Sequence, residues 1–485
     1  MPDQASFPLQ GLAGPVLATC PARAAEDDFW RRVTAGIVPG SPVVRPAAER
    51  MSTVLDRPAQ GSAAVRLGTP GLCAPNPAAR SDPAQARRRS AGPPAAPATV
   101  APAAAALRWD AAGRARLVHD GLAQLLTEID IGNLRHGAAG LLSTLTLASR
   151  TLGAPALRTA AAQVATKIVT GLDRTPRPLP GLAYGRSGTA WALLDAARHL
   201  GDDTLERSAV ELALAVPVRW PTPGLFHGAA GAGLTQLHFW RATGRPEFLH
   251  RAVACADGLL ASANHLDDDV YWPVPDDFDA TRAGLHHFGY AHGIAGIGTF
   301  LLSAGLVAGR TAYLEVAERA GATLIRAAEL GPWGARWRSD RSSPPGTGLL
   351  YHLCSGSSGV GTFLVRLWAY AKDPQVFQLV TAAADAVHRT RGSAGSSVCH
   401  GLAGNGEFLL DVADLLGVDG APFRDRADDL GAALFARHAV RDGLMVLPDE
   451  TGAGLSTDYQ IGLAGVLAFL LRLGHGSPRP WTVST

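Results

Sequence analysis

Two cysteines and a histidine stand at related places in two short glycine-rich motifs. Cys399 and His400 open the run CHGLAGNGE, and Cys354 lies at the matching place in LCSGSSGVG. Two thiolates and one imidazole are three of the four ligands of a zinc ion that keeps one coordination position open. The motifs therefore predict a zinc site at which a further ligand can bind.

The same motif recurs along the chain as G-x-x-G followed by an apolar run. Successive first glycines are 48, 43, 65, 63, 45 and 61 residues apart, which is enough each time for two helices and their loops. The first glycines are Gly137, Gly185, Gly228, Gly293, Gly356, Gly401 and Gly462. We therefore expect a repeat of helix pairs.

Stretches of two kinds alternate between the motifs. Those directly after a motif, such as GTAWALLDAARHLG from Gly188, are apolar nearly all round and predict buried helices. Those between, such as PEFLHRAVACADGLLAS from Pro246, are amphipathic and begin with proline, a normal helix start. Seven such pairs predict an all-α fold, an α/α toroid with inner helices lining the ring and outer helices facing water. An open solenoid is the competing architecture, because repeats of this length also stack linearly.

The repeat places chemically active side chains in equivalent slots, which we number back from the first glycine of each motif. Position −2 holds Cys354 in repeat five and Cys399 in repeat six, and position −1 holds His292 in repeat four and His400 in repeat six. In a toroid the loops before the inner helices gather at one end of the ring. We therefore expect these four side chains to meet.

The chemistry of such a site favours thiols. Coordination to zinc deprotonates a bound thiol, and two thiolate ligands already neutralise the metal, so that a third sulfur stays nucleophilic. The site suits thiolate attack better than activation of water. We expect His292 to be its catalytic residue.

Other polar side chains have competing interpretations. His136 and His227 also occupy position −1, without a metal partner next to them in the repeat order, and are candidates for substrate-binding or auxiliary roles. Arg186 is a candidate to hold a substrate carboxylate or carbonyl, or pairs with a neighbouring loop. Cys255 is interpreted as a small buried hydrophobe, and Glu407 as a first-turn carboxylate rather than a general base.

Composition divides the chain into two parts. Of 34 prolines, 16 fall at or before Pro102, amid alanine and glycine, so residues 1–106 predict a mostly irregular segment or docking extension with one short helix around Trp30. Residues 107–485 predict the toroid. Overall 47% of residues are apolar and 18% charged. The net charge of +2 gives no reason to expect nucleic acid as a partner.

The number of cysteines and the N-terminal sequence indicate the cellular compartment. Five cysteines, an odd number, argue against a disulfide framework and fit a reducing compartment. No apolar run is long enough for a membrane span, and the N-terminal MPDQASFPLQ lacks the pattern of a signal peptide. We expect a cytoplasmic protein.

The HGxAG loops, LCSGSSGVGTFL and CHGLAGNGEFLLD resemble the lanthionine synthetase C-like (LanC-like) family, the cyclases of lanthipeptide biosynthesis. The resemblance covers roughly Leu107 to the C-terminus and implies an α/α toroid that holds one zinc. It implies Cys354, Cys399 and His400 as zinc ligands and His292 as the acid/base residue. The implied enzyme adds a peptide cysteine thiolate to dehydroalanine or dehydrobutyrine and so forms a lanthionine or methyllanthionine thioether ring.

Two departures qualify the resemblance. Some family members carry an aspartate just ahead of the third motif, but Pro221 to His227 (PTPGLFH) contains no acid. Either His227 or water takes that role, or it is not needed. The chain also lacks a kinase signature. The resemblance therefore implies a dehydrated precursor peptide as substrate, and a separate dehydratase or kinase and lyase pair as partner.

Other function classes compete with this interpretation. Prenyltransferase subunits are also toroids with one zinc, but their expected ligand set includes an aspartate, and toroid glycosidases need two cavity carboxylates. A LanC-like scaffold that binds peptides or thiols without chemistry is the main alternative. An assay of ring formation separates it from the enzyme.

Overall fold

Each motif leads directly into a helix, and a second helix precedes the next motif. The computed structural model describes residues 108–128, 137–172, 179–275, 283–441, 443–449 and 456–483. In chain order the helices are α1 (Ala111–Glu128), α2 (Ala138–Leu152), α3 (Pro155–Gly171), α4 (Arg186–Leu200), α5 (Asp203–Ala215), α6 (Ala229–Thr243), α7 (Pro246–Ala261), α8 (Ile294–Ala308), α9 (Thr311–Arg326), α10 (Ser357–Ala371), α11 (Pro374–Arg389), α12 (Leu402–Leu416), α13 (Ala421–Phe435) and α14 (Leu463–His475).

Contacts between helices close the chain into a ring. The even-numbered helices α2 to α14 each pack against the next one, and α14 also packs against α2. Each odd-numbered helix from α3 to α13 packs against the even-numbered helix before it, and α1 packs against α14. The predicted α/α toroid is thus confirmed, and an open solenoid is excluded. The first and last helices of the described chain form one pair.

The two layers differ in burial as their patterns predict. In the inner helix α8, every residue from Ile294 to Gly305 is buried. The outer helix α9 buries one face only, which includes Tyr313, Ala317 and Leu324. A helix that is apolar on all faces is therefore an inner helix, enclosed between the outer layer and the ring interior. Among the described residues, no helix is long and apolar enough to cross a membrane.

Three short antiparallel hairpins lie in the three longest repeats, and the sequence did not predict them. They are β1 (Asn264–Leu266) with β2 (Asp269–Tyr271), β3 (Glu329–Gly331) with β4 (Gly334–Arg336), and β5 (Ala439–Arg441) with β6 (Leu444–Val446). The indole N–H groups of the buried Trp272 and Trp337 donate to the carbonyls of Leu259 and Leu324 near the ends of α7 and α9. These two hairpins are thereby fastened to their outer helices.

Part of the predicted domain organisation lies outside the described residues. This applies to residues 1–106, including the stretch around Trp30. The first described residue is Arg108, and α1 begins three residues later, at Ala111. The boundary at residue 107 stays a prediction.

The second glycine of most motifs permits a close backbone approach. A Cβ atom at Gly231 would lie 2.0 Å from the carbonyl oxygen of Leu225, six residues earlier in the loop. The equivalent Gly296, Gly359 and Gly404 meet a carbonyl six residues earlier at 1.9–2.0 Å. Each loop therefore folds back tightly on the start of its inner helix.

Replacing Gly231 with alanine should destabilise the toroid by about 3 kcal/mol or more, because the loop must shift to admit the new methyl group. Gly258→Ala is the matched control, since no atom lies within 4 Å of a Cβ built there. That variant should be neutral or more stable by about 0.5–1 kcal/mol. Urea unfolding of both variants measures the difference, and equal stabilities would contradict the close approach.

Candidate metal centre

Loop carbonyls, and not side chains, cap the inner helices. No side chain caps α6, α8 or α12. Instead, the first helical N–H groups donate to carbonyls seven residues earlier, from Ala229 to Thr222 and from Ile294 to His287, both at 3.0 Å. A histidine at position −1 of these repeats is therefore not a helix cap.

A ladder of backbone hydrogen bonds joins position −2 of successive repeats, and we call it the loop ladder. Each of its N–H groups donates to the position −2 carbonyl of the following repeat, at 2.8–3.2 Å. The donors are Ala183, Phe226, Ala291, Cys354 and Cys399, and Gln460 supplies the last carbonyl. The ladder sets the two cysteines side by side, because the N–H of Cys354 bonds directly to the carbonyl of Cys399.

Two cysteines of the ladder and the histidine that follows the second of them form a cluster with the geometry of a metal site. The ligand atoms of Cys354, Cys399 and His400 all lie within 4.8 Å of one another, and Cys399 Sγ is 3.5 Å from His400 Nε2. Tetrahedral zinc, with bonds of about 2.3 Å to sulfur and about 2.0 Å to nitrogen, sets neighbouring sulfur and nitrogen ligands about 3.6 Å apart. The three residues therefore fit the metal.

His292 approaches the same cluster from repeat four. Its imidazole is hydrogen-bonded to Cys354, as are Cys399 and His400. The bond with Cys399 has the largest effect, and these bonds together hold the pKa of Cys354 well below the usual range of a thiol, against the opposing effect of burial. The structure thus brings the four side chains together in surroundings that favour thiolate.

Aromatic rings at position −1 of repeats two to four form a stack that ends at His292. Tyr184 lies over His227 with ring centroids 4.8 Å apart and 14° between the planes. His227 lies over His292 at 5.0 Å and 22°. His227 is therefore next to the cluster, although it is not part of the metal-ligand group. Tyr184 was missed from the sequence even though it occupies the same slot as the histidines.

Two further histidines, which the sequence did not reveal, lie beside His400 and His292. His352 meets His400 edge-on with centroids 4.7 Å apart, and His287 lies 5.9 Å from His292. They stand at positions −4 and −6, so the comparison of positions −1 and −2 did not reveal them. The run HHFGYAH, with His287 five residues before His292, was the available signal for His287.

The carboxylate of Asp340 lies near His287, although the stretch just ahead of the third motif contains no acid. The backbones of His287 and Asp340 form an isolated β-bridge. Burial alone would raise the pKa of Asp340, but hydrogen bonds from Ser342, Ser339 and Ser343 lower it below its usual range, and His287 adds to this effect. The carboxylate therefore stays charged and orders the loop beside the cluster.

The remaining candidate residues lie elsewhere. His136 is outside the described residues. Arg186 is the first residue of α4 and lines a cavity of about 550 Å³ inside the ring. Cys255 is buried in α7, and burial raises the pKa of its thiol to about 12, as expected for a structural cysteine.

Glu407 belongs to a buried ion cluster inside the ring. Its interpretation as a first-turn carboxylate is wrong, because α12 begins at Leu402 and Glu407 follows in the second turn. Glu407 pairs with Arg472 of α14, and Arg472 also contacts Asp411 at 2.9 Å. Arg479, from the segment after α14, pairs with Asp411 as well. This cluster ties the C-terminal segment to the inner helices.

Comparison with known proteins relates most of the toroid to one family. A sequence model of the lanthionine synthetase C-like protein family matches residues 128–483. No curated protein matches the chain significantly in sequence.

Solved structures similar to this chain include a cyclase and a hydrolase. Nisin cyclase matches over 75% of this chain and 94% of its own, with 16% identity and a TM-score of 0.53. The unsaturated glucuronyl hydrolase from Bacillus sp. GL1 also matches at 16% identity, over 77% of this chain and 99% of its own, with a TM-score of 0.44. At this identity the likeness to nisin cyclase concerns the fold. Because the family match spans most of the sequence, the chain belongs to the lanthionine synthetase C-like family.

Proposed function

We propose that this protein is a zinc-dependent lanthipeptide cyclase, an enzyme that forms thioether bonds. The observation that carries the proposal is the juxtaposition of Cys354, Cys399 and His400 with His292 at one end of the ring. Membership in the LanC-like family and the toroid fold shared with nisin cyclase support it.

The donor set suits the metal that the reaction requires. Cys354, Cys399 and His400 would hold the zinc ion, and both cysteines are almost completely buried. A bound zinc would supply an open coordination position at which a peptide thiol loses its proton. The low pKa of Cys354 supports the same proposal, since the protein surroundings already favour a thiolate at this sulfur.

His292 is proposed to move the protons of the reaction. It lies against Cys354 and is half-buried, so an incoming thiol can be reached by its imidazole. The reaction forms a bond between the cysteine sulfur and the β-carbon of a dehydroamino acid, and the π electrons shift to an enolate. His292 would accept the thiol proton and return one to the α-carbon, a role that suits an imidazole near neutral pH.

The substrate would be a precursor peptide in which serine or threonine has already been dehydrated. A separate dehydratase, or a kinase and lyase pair, would supply it, and we expect the reaction to take place in the cytoplasm. His227, Arg186 and His136 are proposed as substrate-binding or auxiliary residues. The stack of His227 on His292 supports this role for His227.

Zinc content tests the metal site. The wild type should retain one zinc per chain after dialysis, and Cys354→Ala and Cys399→Ala should lose it, because two ligands hold the ion far less tightly than three. Cys255→Ala is the matched control, as Cys255 is also a buried free cysteine. Elemental analysis gives the readout. A zinc-free wild type, or retention by both ligand variants, would count against the site.

Activity tests the role of His292. His292→Gln should retain zinc but cyclise a dehydrated, cysteine-containing peptide about 10²–10⁴-fold more slowly, the usual loss on removing a general acid or base. His238→Gln is the control, because His238 pairs with Asp195 near the far end of α6. Alkylation of residual thiol followed by mass spectrometry measures the rate.

The same assay distinguishes enzyme from scaffold. Zinc-loaded wild type that binds the peptide without consuming its thiol would favour the non-catalytic alternative. An unchanged rate in His292→Gln would exclude the proposed role of His292.

A further inference from the structure

A cavity of about 550 Å³, partly open to solvent, is lined by the loops and inner helices of the ring and by the end of α3. Its walls include the position −3 side chains of six repeats, each next to a member of the loop ladder, and its floor is formed by the segment after α14. The position −3 residues are Leu182, Leu225, Tyr290, Leu353, Val398 and Tyr459. Cavities of this size and mainly apolar lining are typical of sites that enclose a ligand group.

Among the described residues that line the cavity, three buried polar atoms lack hydrogen-bond partners. They are Oε1 of Glu407, Oε1 of Gln460 and Nε1 of Trp481, and Glu407 is 2% exposed. The other carboxylate oxygen of Glu407 already pairs with Arg472. A neutral N–H or O–H donor therefore suits the unpartnered Oε1 of Glu407 better than a second cation, and an unmet buried acceptor is costly.

The rim of the cavity is connected to the metal centre by the ring stack. Tyr184 lines the cavity, is 46% exposed, and lies over His227, which lies over His292. The two stacking distances are 4.8 and 5.0 Å. An extended peptide advances about 3.3 Å per residue, so about three residues separate a group at His292 from one at the rim.

We propose that this axial cavity binds an aromatic side chain of the substrate peptide, three or four residues from the cysteine held at the metal. Tryptophan fits best, because its ring matches the apolar walls and its indole N–H can donate to Glu407. The assignment to substrate rests on the proposed cyclase function. The existence of the binding site does not, since the cavity lies apart from the metal ligands.

Binding of N-acetyl-L-tryptophanamide to the full-length chain tests the site without any cyclisation. Ligand-observed NMR should give a Kd of about 0.1–1 mM, the range expected for a ligand with so few atoms. N-acetylglycinamide should not bind. The 1-methylindole analogue should bind about tenfold more weakly, because it leaves Oε1 of Glu407 unpaired.

A matched pair of threonine variants locates the binding. Thr189 and Thr166 both donate to the carbonyl four residues earlier in their helices, but Thr189 lines the cavity and Thr166 is exposed on α3. Thr189→Trp should abolish probe binding, and Thr166→Trp should leave it unchanged. Equal binding by both variants, or no binding to the wild type at 10-fold the expected Kd, would overturn the proposal.

Peptide substrates test the assignment to catalysis. Moving one tryptophan along a dehydrated peptide should lower KM about tenfold when it stands three or four residues from the cysteine, with kcat unchanged, because binding of a remote group is uniform. Thr189→Trp should remove this preference. A KM that does not depend on the position of the tryptophan would overturn the assignment to substrate, while the probe experiment would still decide whether the site exists.

Discussion

The loop ladder is the interaction on which the metal centre depends. Its hydrogen bonds join the position −2 backbones of successive repeats, and each loop is in turn bonded to the first turn of its inner helix. Since the N–H of Cys354 bonds to the carbonyl of Cys399, the two sulfurs are set by backbone geometry and not by flexible surface loops. The position −1 side chains do not cap the inner helices, so the imidazoles of His292 and His400 are available for proton transfer or metal binding.

Side chains at positions −2 and −3 of each loop point to different parts of the ring. Position −2 supplies the candidate metal ligands Cys354 and Cys399, while the preceding Leu353 and Val398 line the cavity. Deeper still, burial alone would raise the pKa of Asp411, but Arg366, Arg479 and Arg472 hold it below its usual range. Such a cluster is costly to break, because loss of one partner leaves a buried charge without compensation. It therefore fixes the floor under the chemical site.

The sequence could predict the toroid and the meeting of the cysteine and histidine side chains because both follow from the repeat. Equivalent slots in equivalent loops converge once the ring closes. Features that break the repeat could not be predicted in this way. The pairing of α1 with α14 joins opposite ends of the described chain, and the partner of Glu407 is 65 residues away in sequence. The hairpins left a signal in the three long spacings, of 61 to 65 residues, and in the Asp-Gly dipeptide at 442–443, a sequence typical of hairpin turns.

X-ray absorption at the zinc edge tests the central claim most directly, because it counts the sulfur ligands of the metal. For the full-length protein, the geometry of Cys354, Cys399 and His400 predicts two sulfurs at about 2.3 Å and nitrogen or oxygen at about 2.0 Å. Addition of N-acetylcysteine methyl ester should raise the count to three sulfurs, because one position is open to a thiol. An unchanged count at saturating thiol, or a zinc ion fully coordinated by protein side chains, would contradict the account.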